Sequence, residues 1–274
     1  MSPVTILDGA MGTLLGERGV PTPPPLWSAL ALRSAPDVVR AIHAEYARAG
    51  AMVHTANTFR TKRRSAPGDW SDLARLAVRL ARDAAAAGQG VAGSIAPLED
   101  CYRPDLSPGQ ASRAEHRELA EVLCDAGVDL LLCETFPHCG EALVAVEEAV
   151  RTGLPTWLAL TAGPDATLLS PAEVGACARE AVLRGATAVL VNCVPARATL
   201  AFVDALSGAG VAFGAYANAG APTEGLGWSV TPSADAAERY ADLASQWVAA
   251  GATLVGSCCG TGPAHTAALA RRLD

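Results

Sequence analysis

The chain has 274 residues, half of them hydrophobic, with 21 basic against 28 acidic side chains and a formal net charge of −7. That suffices for one sizeable core and excludes a basic track for nucleic acid, the short cluster Lys62-Arg63-Arg64 reading as a solvated loop. No apolar run reaches membrane-spanning length, no secretory leader precedes ILDGAMG, and eight cysteines in so aliphatic a chain are no disulfide scaffold, so a soluble, reduced, cytoplasmic setting is expected.

Short apolar runs alternate with longer amphipathic stretches along the whole chain. The run VTIL (4–7) ends at Asp8-Gly9, and the Pro-rich GVPTPPPLW (19–27) then predicts a loop that forms part of a lid. A helix fits 36–50, with Pro36 in its first turn and Gly50 as its stop. Strand 51–57, a helix within 71–87 and strand 91–97 follow. The next helix, 112–127, opens on Ser112 and Glu115, which predicts a capping box, and leads into strand 129–135. Further pairs are helix 139–152 with strand 156–162, helix 171–184 with strand 188–194, helix 198–208 with strand 211–218, and helix 233–250 with strand 253–259; helix 265–273 closes the series. Eight strand–helix units without a linker or composition shift predict an α/β fold, a single-domain (β/α)8 TIM barrel over residues 1–274. An open doubly wound sheet is the rival, but DGAMGT is a poor match to its glycine-rich phosphate loop.

Chemistry in such a barrel sits at the C-terminal ends of the strands. Those ends carry Asp8, Thr55 to Asn57, Ser94, Glu134-Thr135, Asn192-Cys193, Asn218 and Cys258-Cys259. Strands six and eight flank strand seven, so Cys193, Cys258 and Cys259 can converge on one metal. Three thiolates with an open fourth position suit a catalytic zinc, while buried packing remains the alternative for cysteine and no CxxC spacing decides it. The other five, Cys101, Cys124, Cys133, Cys139 and Cys177, read as packing or loop residues. Among histidines, His43 and His116 fall in helices as surface or packing residues, His54 reads as structural, and His138 is a minor candidate for substrate contact.

The segments ILDGAMGT (6–13), PLWSALAL (25–32), HTANTF (54–59), LLLCET (130–135), VNC (191–193), YANAG (216–220) and VGSCCGTGPAH (255–265) together resemble the homocysteine S-methyltransferase family. They span nearly the whole chain in the family's order, and the pairing of NC with a later GxCCGT is the specific part. The resemblance implies a zinc-dependent barrel that methylates the thiol of homocysteine to give methionine, with Cys193, Cys258 and Cys259 as Zn2+ ligands and the homocysteine sulfur in the fourth position. It also implies that Asp8 and Glu134 hold the amino acid part of homocysteine, and that Asn218 is a candidate fourth ligand when substrate is absent. The competing readings are an Asp-Gly turn for Asp8, a solvated strand end for Glu134 and a turn-forming Asn for Asn218.

The LWSA segment looks most like the branch that uses S-methylmethionine, and Trp27 is a candidate face for a cationic donor, against simple lid packing. S-adenosylmethionine, betaine or another thiol acceptor are the alternatives within the same chemistry. GSIAPLED (93–100) departs from the family's GSIGP-type run, with Ala96 in place of a glycine. From other classes, a zinc-binding barrel with a regulatory role and a metal-dependent aldolase or hydrolase are the rivals; the latter favours His and carboxylate ligands.

Overall fold

The computed structural model of the chain describes residues 3–228 and 234–273. Its strands are β1 (Thr5–Ile6), β2 (Val53–Thr55), β3 (Gly90–Ile95), β4 (Leu130–Phe136), β5 (Thr156–Leu160), β6 (Ala188–Pro195), β7 (Ala212–Asn218) and β8 (Leu254–Ser257). They form one parallel sheet in the order β1-β8-β7-β6-β5-β4-β3-β2. The two ends of that order meet: Met52 N donates to Ile6 O at 2.7 Å and Asp8 N to Val53 O at 3.0 Å, beside a bridge between Leu7 and Val53. The sheet is therefore a closed barrel with no free edge.

Side chains alternate between two apolar layers. Leu130 and Leu132, with Leu7, Leu190 and Leu254, fill the barrel interior, while Leu131, Cys133, Val189 and Val255 pack outward against the helices. Burial on both faces is why the strands read as nearly continuous apolar runs. The outer ring comprises α1 (Met11–Glu17), α2 (Ala31–Ser34), α3 (Pro36–Arg48), α4 (Trp70–Ala84), α5 (Arg113–Asp125), α6 (Cys139–Val150), α7 (Pro171–Leu183), α8 (Thr199–Leu206), α9 (Ala234–Ala249) and α10 (Pro263–Leu273). The expected helix over 233–250 falls on α9, except that residue 233 lies outside the described residues.

Several local expectations are corrected. The Pro-rich stretch 19–27 is a loop as expected until a 3-10 turn begins at Trp27 (Trp27–Leu30), while α1 before it and α2 after it are elements that the sequence reading did not assign. Ser112 makes no capping box, because the 3-10 turn Gly109–Ser112 already places it in helical conformation (φ −71°, ψ −14°). Its Oγ donates to Gly109 O at 2.6 Å, and Glu115 instead pairs with Arg64. A capping box does open α7, between Ser170 and Glu173. Lys62 is buried rather than solvated, its Nζ donating to Pro97 O under the loop after β3. Cys139 and Cys177 are more than packing residues: they form a disulfide between α6 and α7, with Cα atoms 5.9 Å apart.

Candidate metal centre and active site

The C-terminal mouth of the barrel opens into a cavity of about 330 Å3 whose walls include Asp8, Trp27, Glu134, Cys193, Cys258 and Cys259. Inward alternation along β4 runs Leu130, Leu132, Glu134, so the carboxylate arrives at the mouth as the next inward residue. Continued along β6, the same alternation would turn Cys193 outward. Instead Cys193 has φ 52° and the β6–β7 register shifts between Asn192 and Pro195, which re-aims the thiol into the cavity. Thr135 repeats the device on β4, with φ 61° and a register shift between Cys133 and Phe136.

One buried side chain ties the two irregularities together. Asn192 Oδ1 accepts from Thr135 N at 3.1 Å, and its Nδ2 donates to Thr135 Oγ1 at 2.7 Å. The cross-link compensates for placing two non-glycine residues, Thr135 and Cys193, in left-handed backbone. Sequence reading gave Asn192 no role of its own, and its only signal was a polar residue in an apolar run beside Cys193.

The Cys258-Cys259 turn is held from several directions. Cys258 N donates to Ala217 O at 2.8 Å, Ala219 N to Cys259 O at 3.0 Å, and Gly260 N to Thr13 Oγ1 at 3.1 Å. The Tyr240 hydroxyl of α9 lies 2.9 Å from Ala217 O and 3.0 Å from Gly256 O, clamping β7 to β8 beneath the turn. Gly260 has φ 80°, and a Cβ there would stand 2.5 Å from the Trp228 ring, so the turn requires glycine.

The sulfurs of Cys193, Cys258 and Cys259 all lie within 4.8 Å of one another. Cys258 and Cys259 Sγ are 3.9 Å apart, close to the edge of about 3.8 Å that a tetrahedron of thiolates takes at a Zn–S distance of about 2.3 Å. Cys193 and Cys258 are joined through sulfur in this structure, so the three could hold a metal only as thiolates of the reduced protein. The donor set fits zinc: three soft sulfurs at a cavity wall, with space in the cavity for a fourth ligand. Burial pushes the Cys259 thiol above its ordinary pKa, a cost that a bound cation reverses.

The two carboxylates are buried in the wall of the same cavity. Asp8 is 6% exposed, and burial drives its pKa up to about 8, against the opposing pull of a bond accepted from Thr55 N at 2.9 Å. Glu134 is likewise raised by burial, while Ser94 Oγ donates to one oxygen at 2.5 Å and the Tyr216 hydroxyl to the other at 2.9 Å. Neither is a solvated terminus. His43 and His54 are fully buried beneath Asp8, with His43 Nδ1 4.0 Å from Asp8 Oδ2. Burial holds the His43 imidazole down at about 3, so it is neutral. With Asp8 they form a second group of three potential ligands within 4.8 Å.

The remaining candidates are placed as follows. Asn218 has both side-chain polar atoms on backbone: Nδ2 donates to Cys193 O at 3.0 Å and Oδ1 accepts from Gly220 N at 2.8 Å. Trp27 has φ 48° and stacks on Phe59 with ring centroids 6.2 Å apart. The Ser28–Asn57 pair at 2.7 Å ties this segment to the end of β2. His138 caps α6, its Nδ1 accepting from Glu141 N, and His116 is buried against Glu141.

A family model described as homocysteine S-methyltransferase matches residues 5–273. The chain belongs to the homocysteine S-methyltransferase family. It is 33% identical to the homocysteine S-methyltransferase of Escherichia coli over 98% of this chain and 95% of that one. The metallated crystal form of the Escherichia coli homocysteine methyltransferase MmuM superposes with a TM-score of 0.83 at 29% identity, covering 99% of this chain and 96% of the other. The oxidized form of the same enzyme gives 0.81 at 31% identity, over 98% and 96%. The expected (β/α)8 barrel and family membership therefore both hold. No helix among the described residues is long and apolar enough to cross a membrane.

Proposed function

We propose that this chain transfers a methyl group from a methyl-onium donor, S-methylmethionine first, to the thiol of homocysteine at a zinc held by Cys193, Cys258 and Cys259. The observation that carries the reading is the meeting of three cysteine sulfurs with two buried carboxylates in one cavity. The metallated form of the Escherichia coli relative supports a metal in such a barrel. Zinc supplies the Lewis acidity that removes the proton of a bound thiol, whose ordinary pKa of about 8.5 leaves it mostly protonated at neutral pH.

The chain's own residues bind and orient. Asp8 and Glu134 take the ammonium of homocysteine, and the arriving cation restores to each the charge that burial disfavours. Ser94 and the Tyr216 hydroxyl fix both oxygens of Glu134, so the amino acid end docks on a rigid acceptor. Asn218 anchors the carbonyl of Cys193, and Asn192 its backbone turn. Trp27, Phe59 and Tyr102 wall the cavity with aromatic surface suited to a sulfonium.

Transfer is an in-line displacement. The homocysteine sulfur forms a bond to the methyl carbon while the donor's carbon–sulfur bond breaks, its electron pair staying on the donor sulfur. From S-methylmethionine both products are methionine, and the donor's positive charge is neutralised. The test is methionine formation by reduced, zinc-loaded protein from homocysteine with S-methylmethionine, S-adenosylmethionine and betaine in turn. S-Methylmethionine should give the highest kcat/KM; no methionine from any of the three would end the reading.

A further inference from the structure

Glu141, in the first turn of α6, is a buried carboxylate that the proposed reaction does not use. It holds both ends of one segment of the loop after β3. Its Oε1 accepts from Leu98 N at 2.8 Å, and its Oε2 accepts from Ser107 Oγ at 2.6 Å. His116 of α5 backs the same group, with Nε2 3.2 Å from Oε1. Burial alone would raise the pKa of this carboxyl, but the bonds from His116, Ser107 and Leu98 hold it below its ordinary value, so the acceptor is charged. Just ahead of the segment, Lys62 Nζ pins Pro97 O.

Between the two ties the chain turns about Asp100, whose Oδ1 accepts from Tyr102 N at 2.8 Å and whose O accepts from Arg103 N at 3.0 Å. Cys101 and Tyr102, carried on this turn, line the cavity. Residues 98–107 are thus a strap at the mouth, folded on itself and fastened at both ends to one side chain. Glu134 and Glu141 belong to one strand–helix unit, β4 and α6. The first reaches the homocysteine side of the cavity, and the second holds part of its aromatic wall. An in-line displacement depends on that wall, because a misplacement of about 1 Å between reacting groups can cost about 100-fold in rate.

We propose that Glu141 is a positioning residue for the methyl donor, setting Tyr102 against the onium by holding both ends of the strap. The proposal rests on the onium-donor reading above and adds the residue that fixes the donor's wall. Glu141 acts through the strap and does not touch the donor.

The test is titration calorimetry on reduced, zinc-loaded protein with S-methylmethionine and homocysteine in separate runs, so that no turnover occurs. Glu141→Ala should weaken S-methylmethionine about 10-fold and leave homocysteine unchanged. Glu141→Gln should restore donor binding, because its amide oxygen accepts from Leu98 N while its nitrogen donates to Ser107 Oγ. Ser107→Ala, which loses one tie of the two, should show a smaller loss. In a Tyr102→Ala background neither Glu141→Ala nor Ser107→Ala should cost donor affinity again, since both act through that ring. If Glu141→Ala does not fold, Ser107→Ala and its cycle with Tyr102→Ala decide. Equal weakening of both ligands, a loss that persists in the Tyr102→Ala background, unchanged donor binding, or no S-methylmethionine binding by the unaltered chain overturns the proposal. If the donor-selective pattern stands but no methionine forms, the transfer reaction fails and the role of the strap survives.

Discussion

Replacing Asp8 by Asn should stabilise the metal-free protein and at the same time disable its substrate site. The side chain is 6% exposed, and burial raises its pKa from 3.8 to about 8. Folded Asp8 thus keeps a proton between those values that the unfolded carboxyl has lost, so the native state binds more protons and stability falls as pH rises. The contribution is intact below pH 3.8 and is lost progressively up to the folded pKa of about 8. One such group contributes a slope of about 1.4 kcal/mol per pH unit, or roughly 4 kcal/mol between about pH 5 and 8. The amide keeps the acceptor for Thr55 N, whose bond to Asp8 is 2.9 Å, but carries no charge to desolvate. Urea unfolding of both proteins across that range, reduced and metal-free, isolates the effect, because other titrations cancel in the difference. The gap in favour of the Asn variant should widen with pH, and calorimetry should show weakened homocysteine binding. A gap flat across pH, with homocysteine affinity unchanged, would refute the reasoning.

Glu134→Gln should weaken homocysteine about 10-fold or more while leaving zinc content at one per chain, which elemental analysis and calorimetry together would check. Asn192→Ala removes both bonds to Thr135; it should cost about 1–3 kcal/mol in chemical unfolding and lower zinc affinity, because the turn that aims Cys193 loses its brace. Gly260→Ala, with its Cβ driven against Trp228 at a φ of 80°, should reduce zinc occupancy, whereas full occupancy would show that the turn tolerates a side chain.

The barrel was legible because its physics is periodic. Runs such as LLLC at 130–133 need an apolar partner on both faces, and helices of about the right length separate them. Position at strand ends likewise gathered Cys193, Cys258, Cys259, Asp8 and Glu134 into one cavity. What escaped was aperiodic. Nothing in the sequence announces left-handed backbone at Thr135 or Cys193, since neither is a glycine, and the Asn192 brace exists only in three dimensions.

Helix α1 carries two glycines in seven residues and falls below the length at which periodicity speaks. The failed cap at Ser112 matched the pattern of a cap, but a preceding 3-10 turn had already taken its backbone into the helix. His43 was recoverable: it shares the buried stripe of Val39, Ile42 and Tyr46 on α3, which points it at the barrel rather than at solvent.

The central claim is a thiol-accepting zinc at Cys193, Cys258 and Cys259, and X-ray absorption at the zinc edge tests it most directly. Reduced, zinc-loaded protein should show three sulfur neighbours at about 2.3 Å, rising to four when homocysteine is added. A shell dominated by nitrogen and oxygen, or a sulfur count that homocysteine leaves unchanged, would contradict it.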